Sequence, residues 1–411
     1  MKNKYVPTSF GMYLNYMIVG MSIIILPQNM DVLAKQWHTN LAGVSIVISA
    51  VGLGRVFVFL VSGILSDKLG RRLFILLGTV LFIGFFLGTL LSRSLIFALI
   101  FAICAGIGGA FMDAGTYPAL MEMFPKHQSA ANVTLKAFVS IGEFALPLVI
   151  SMLVLQHLWY GWSFVLCLVI LVITLTTLFR FGHFPVKTAS TERKTAVQTT
   201  DLKPKTHLKL IDGVLFTIFA YAIDAVILLV SIWLTKYGQD VIGMTDTGAR
   251  ALVSYYSVGS IVCVLLTIWL SHKGVKDIQF LISYMSIAFV SLLLLYLFPT
   301  PILSTVLAFV VGFSSAGGVM QIGLTVMASF SPGNKGVVTG IFTTATSIAG
   351  FTANLIAGAL TSNIANVMLL NVIFAFISFI AAILITMRYH RLFDPNQDEK
   401  LLVADQSKQP S

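Results

Sequence analysis

The chain has 411 residues, 57% of them hydrophobic and only 10% charged, with a formal net charge of +10. Soluble domains carry about 25% charged residues, so a water-soluble fold of this composition would expose apolar patches large enough to aggregate. Lipid is the implied solvent, and the surplus of Lys and Arg has to be read against membrane topology before it is read as nucleic-acid affinity.

A spanning helix needs about 20 mostly apolar residues. Twelve windows meet that length: 10–30, 41–65, 73–92, 95–121, 130–154, 160–180, 210–235, 249–271, 278–298, 302–329, 337–361 and 366–388. They are too long and too uniformly apolar for the alternating strands of a barrel. The first window has no small-residue cleavage site behind a short apolar core and reads as a retained span. It carries Asn15 and Tyr16, and the second carries Arg55 near its middle. Cys104, Cys167 and Cys263 all fall inside windows, as packing residues with no disulfide or metal spacing.

Between the second and third windows stands Gly63-Ile64-Leu65-Ser66-Asp67-Lys68-Leu69-Gly70-Arg71-Arg72. It reads as a tight turn, with Gly63 permitting a close helix approach and Gly70 a permissive backbone. This decapeptide resembles the signature loop of the major facilitator superfamily, Gly-x-x-x-Asp-Arg/Lys-x-Gly-Arg-Arg/Lys. The resemblance implies a secondary transporter in which Asp67, supported by Gly63, Gly70, Arg71 and Arg72, latches two halves together on the cytoplasmic side.

The fourth window holds Gly109-Ala110-Phe111-Met112-Asp113-Ala114-Gly115-Thr116-Tyr117. That run is similar to the Gly-rich, Asp-containing segment of the fucose–glucose–galactose proton symporter branch, with Thr116 in place of the branch's asparagine. The arginine that many members carry before Gly106-Ile107-Gly108 is missing. In the fifth window come Lys136, Glu143 and Leu146-Pro147, the last lacking the second glycine of the drug/proton antiporter pattern. Residues 181–208 are polar and form a cytoplasmic linker. Asp224 and Trp233 follow in the seventh window. The loop Ser271-His272-Lys273-Gly274-Val275-Lys276-Asp277 is a degenerate echo of the decapeptide without its acid.

Residues 109–115 match 317–323 at an offset of 208, and 140–144 match 347–351 at an offset of 207. The near-equal offsets indicate two parallel six-helix repeats. The expected fold is therefore all-α and integral to the membrane, with 12 helices in two pseudo-symmetric halves, 1–180 and 209–390, and a disordered tail over 391–411.

Of the 26 Lys and Arg, 20 fall in the termini and in loops on one side, and Lys35, Arg93, Lys236 and Arg250 lie on the other. This positive-inside bias puts both termini in the cytoplasm of a multi-pass cell-membrane protein. The basic charge is thus a topology signal, and nucleic acid is not an expected partner.

A charge at the bilayer centre costs at least about 2.5–3.5 kcal/mol on insertion scales. Arg55 and Lys136 there face Asp113, Glu143 and Asp224, which leaves one carboxylate able to carry a proton. Asp113, Glu143 and Asp224 are the proton-coupling candidates, with permanent salt bridging as the alternative. Tyr16, Tyr117 and Asn354 are candidate polar contacts in a substrate cavity, and Trp233 and Phe351 are candidate stacking surfaces. Asn15 and Gln321 serve equally well as cavity contacts or as hydrogen bonds between helices.

The function expected is proton-coupled transport of a small polar solute, a sugar or an organic acid, by alternating access. The alternative is efflux of amphipathic compounds on the same fold. The seven histidines are scattered without metal-ligand spacing, and no phosphate-binding Gly-x-x-x-x-Gly-Lys-Ser/Thr occurs. That argues against an enzyme, a metal site or ATP drive. The proton gradient takes the place of a cofactor, the partners are the solute and the bilayer, and a monomer is expected.

Overall fold

The computed structural model describes residues 5–124, 128–184, 210–330 and 335–393. All regular structure among them is helical. The first part contains α1 (Val6–Gln28), α2 (Met30–Gln36), α3 (Leu41–Leu69), α4 (Arg71–Leu91), α5 (Leu95–Met123), α6 (Gln128–Leu155) and α7 (Trp162–Phe181). After the expected linker, most of which lies outside the described residues, come α8 (Leu210–Asp240), α9 (Asp246–His272), α10 (Asp277–Leu297), α11 (Pro301–Val311), α12 (Val319–Phe330), α13 (Lys335–Ala359) and α14 (Ile364–Phe393).

Eleven spans among the described residues are long and apolar enough to cross a membrane, α11 and α12 together making one. The twelfth is α3, whose 29 residues rise about 43 Å at 1.5 Å per residue. The short α2 is set 101° from α3 and lies across the end of the bundle. Apolar side chains run all round these helices, as the bilayer demands: Leu297 and Ile302 face outward while Phe164, Phe219 and Leu281 are fully buried.

Three boundaries differ from expectation, each for a local reason. The expected tight turn is shorter than the decapeptide. α3 continues through Leu69, Gly70 alone breaks the chain at φ 99°, and α4 begins at Arg71. Only glycine takes that left-handed angle without strain. The tenth span is broken by a π-turn over Gly312–Ala316 and by Gly318 at φ 110°, where the N-terminal copy of the repeat runs unbroken through α5. Finally, α14 extends to Phe393, five residues past the window, because its last turns remain bonded to the bundle: Arg388 donates Nε to Asp212 Oδ1 at 2.8 Å and Nη2 to Oδ2 at 3.1 Å. Asp212 is 1% exposed, a buried ion pair that the sequence reading did not single out.

Candidate functional site

Four helices contribute stripes, and α12 adds Met320, to one cavity of about 270 Å³ between the two parts of the chain. α1 gives Ser22, Ile23 and Leu26, and α3 gives Ile48, Val51, Gly52 and Arg55. From the C-terminal side, α8 gives Asp224, Leu228 and Ile232, and α13 gives Thr343, Thr346, Ser347, Gly350 and Asn354. Steps of three and four residues place each stripe on one helix face. Much of the wall is apolar and a few polar groups converge on it, the usual make-up of a small-molecule site.

At the edge of this space Arg55 Nη2 donates to Asp113 Oδ2. Tyr16 donates its hydroxyl to Asp113 Oδ1 at 2.6 Å, and the Tyr117 ring meets that of Tyr16 edge-on at 5.8 Å between centroids. One carboxylate thus joins α1, α3 and α5. The Arg55 side chain keeps 47% of its surface accessible, and it does so because it lines the cavity. Asp224 lines the same cavity from α8; among the described residues it forms no ion pair.

Other expected site residues lie elsewhere. Asn15 is fully buried, donating to Thr79 Oγ1 at 2.9 Å and accepting from Thr174 Oγ1 at 2.5 Å. It is a helix-to-helix tie between α1, α4 and α7, not a cavity group. Trp233 is 1% exposed with its Nε1 buried and unpartnered, so its ring is core packing. Gln321 and Phe351 stand on α12 and α13 but do not line the cavity. Glu143 is buried on α6, seven residues after Lys136, near α9, where Ser254 donates to Phe144 O at 3.0 Å. It too is outside the cavity. The sequence reading missed Ser22, Thr343, Thr346 and Ser347, whose signal was only their i, i+3 and i, i+4 spacing on otherwise apolar faces.

The two parts of the chain are joined beyond the cavity, at the end away from the decapeptide. Lys236 Nζ lies 3.0 Å from both oxygens of Asp31. Gln28 Nε2 donates to Thr235 Oγ1 at 2.8 Å, and Arg250 donates to Gln28 O. Ser45 donates to Asn354 O at 2.7 Å. A Cβ on Gly52 would stand 2.7 Å from Gly350 C and from Phe351 N, so α3 and α13 touch backbone to backbone. Hydrogen bonds between the two parts, among the described residues, all lie from mid-bundle toward this end.

Residues 8–354 match the family described as Major Facilitator Superfamily. The chain belongs to the major facilitator superfamily. It is 44% identical over 391 residues to the Inner membrane transport protein YdiM of Escherichia coli (strain K12), covering 94% of this chain and 96% of that protein. It is 35% identical over 382 residues to YdiN of the same organism, covering 93% and 90%. A crystal structure of a D-xylose-proton symporter superposes with a TM-score of 0.73 at 14% identity, covering 93% of this chain and 97% of that one. This superfamily member is a multi-pass membrane transporter and not an enzyme.

The superfamily's loop motif takes a definite form here. Ser66 donates to Ala114 O at 2.8 Å, Arg71 Nη1 donates to Ser66 Oγ at 3.1 Å, and Arg71 Nε lies 3.4 Å from Glu122 Oε1. Arg72 donates to Phe179 O and stands 5.8 Å from the Phe179 ring. Its basic residues therefore staple α3, α4, α5 and α7 of one part. The side chains of Gly63 and Asp67 lie outside the described residues.

Proposed function

We propose that this transporter carries a small polar solute together with a proton by alternating access. The observation that supports the reading is one cavity, shared by both parts of the chain, that gathers Arg55 and Asp224 with Asp113 bound behind Arg55. Around this group stand Tyr16 and Tyr117, with Lys136, Glu143 and Tyr256 on the neighbouring α6 and α9. Two carboxylates, Asp113 and Asp224, thus share one cavity-lining guanidinium, and a charge left uncompensated in the membrane is costly. Asp113 and Asp224 are thus the preferred coupling groups over Glu143. The volume of about 270 Å³ is at the small end for ligand sites and suits a sugar or an organic acid. The cavity is complete within one chain, which supports a working monomer.

The positive-inside charge bias supports an orientation with both termini in the cytoplasm. On that orientation the joined end faces outside and the protein stands open to the cytoplasm, in the cell membrane. The test is solute-driven proton movement in proteoliposomes with a trapped pH dye, screened over sugars and organic acids. Asp113→Asn and Asp224→Asn should abolish solute-driven proton movement while solute counterflow persists, and Glu143→Gln should keep both. Full coupling in all three amides sinks the proposal.

A second reading, export of amphipathic cations, is favoured by the apolar wall of Leu26, Val51, Leu228 and Ile232 beside Asp224. It predicts stabilisation by many unrelated lipophilic cations rather than by one solute family.

A further inference from the structure

We infer that the solute is a hydroxylated monocarboxylate, held by its carboxylate at Arg55 and by a hydroxyl at Asn354; this rests on the polar-solute carrier proposed above. Arg55 is the one cation among the described residues lining the cavity. A guanidinium presents five N–H donors in a planar fork that matches a carboxylate in two-point contact. With Asp113 bound, 47% of the Arg55 side-chain surface is still accessible, on the wall that a ligand would meet. A neutral sugar makes no use of this charge.

Asn354 carries the second half of the argument. It is 2% exposed and lines the cavity. Its Nδ2 donates to Gly350 O at 3.2 Å, and because a carbonyl only accepts, that contact fixes which amide atom is nitrogen. The other atom, Oδ1, is a buried acceptor without a partner. Such an atom costs stability until a donor reaches it, and a small turn of the amide toward the cavity would present it to a ligand hydroxyl. An unsubstituted carboxylate would leave it unpaired.

Helix register sets the reach between the two groups. Ser45 meets Asn354 and Gly52 meets Gly350, so α3 and α13 run antiparallel and Arg55 stands near the level of Ser347. Asn354 is seven residues further on, about 10 Å along the axis. Subtracting the two side chains leaves room for a molecule several bonds long. Thr343, Thr346 and Ser347 border the Arg55 end, and Leu228 and Ile232 offer an apolar flank to its carbon frame. Entry of an anion beside Asp113 and Asp224 adds negative charge that a co-transported proton offsets.

The test uses matched ligands on the purified full chain in detergent, read by calorimetry and thermal shift. Gluconate or 4-hydroxycyclohexanecarboxylate should bind at least about tenfold tighter than hexanoate, cyclohexanecarboxylate or glucose, a gap of about 1.4 kcal/mol. Arg55→Gln should abolish carboxylate binding, and Arg55→Lys should retain part of it. Asn354→Leu should lower the hydroxylated acids to the level of their plain analogues without weakening the latter. If Arg55→Gln fails to fold, the Arg55→Lys and Asn354→Leu selectivities still decide. Equal binding of glucose by the wild type and Arg55→Gln overturns this inference and leaves the carrier reading standing. Binding of tetraphenylphosphonium alone overturns both. No carboxylate bound, or no loss of preference in Asn354→Leu, also overturns it.

Discussion

Asp113 accepts from Arg55 on one oxygen and from Tyr16 on the other. Both oxygens of this carboxylate are thus engaged until a ligand or a motion draws Arg55 away. Removing only one member of the pair leaves the other charge uncompensated within the membrane. Arg55→Leu should therefore lower the thermal stability of the purified protein, and Arg55→Leu with Asp113→Leu should recover most of it while both remain inactive in uptake. Additive losses in the double variant would show that the pair contributes no coupling. Gly52 makes a different kind of contact. Its missing Cβ lets α3 lie on the α13 backbone across the two parts of the chain, so Gly52→Val should act on the conformational equilibrium. With the native cysteines replaced, Ser22→Cys in the cavity should react with an external, membrane-impermeant maleimide about tenfold faster in Gly52→Val, as α3 and α13 part. An unchanged rate would mean that the backbone absorbs the methyls locally.

At the scale of elements, the joined end depends on how α2 is held. Gln36 donates to Leu90 O at 2.8 Å and Ser92 O at 2.7 Å and accepts from Tyr160, which docks α2 on its own part of the chain. Asp31 is thereby presented to Lys236 on α8. Asp31 is 57% exposed, and exposed pairs contribute about 0.2–1 kcal/mol. Arg250 is 12% exposed and bonds both Asp246 and the main chain of Gln28, which is worth more because it is shielded. Lys236→Ala should raise external labelling of Ser22→Cys by less than about fivefold, and Arg250→Ala by more. The reverse order would count against closure by α9. These ties also show what the sequence disclosed and what it hid. The spans were legible because a bilayer demands about 20 apolar residues, and Lys and Arg mark their ends. The single-residue break at Gly70 was not, because nothing local tells a continuing helix from a turn. Asn15 was left undecided because its partners, Thr79 and Thr174, are 64 and 159 residues away. Arg55 was legible as a charge needing a reason, but its place on a cavity wall depends on which face α3 turns to α13.

For the whole molecule the two ends are inequivalent. The internal repeat predicts symmetric halves, yet Gly317-Gly318 breaks the tenth span where α5 is continuous, and the second loop lacks the acid of the first. The proposed latch at the decapeptide end therefore rests on Asp67 alone, and it would form when the other end opens. A carrier alternating between two such states shifts population only through contacts that differ between them. If the proposed latch forms, Asp67→Asn weakens the outward-open state, so it should lower external labelling of Ser22→Cys, opposite in sign to Arg250→Ala. Transport should fall, while binding of solute to the purified protein stays within about twofold, since the latch is remote from the cavity. Because the two changes bias the same equilibrium in opposite directions, Asp67→Asn combined with Arg250→Ala should restore part of the uptake that either loses alone, an offset of about 1–2 kcal/mol in the ratio of states. A double variant no better than the worse single one would uncouple the two ends. Unchanged uptake in Asp67→Asn would reduce the motif to a marker of topology.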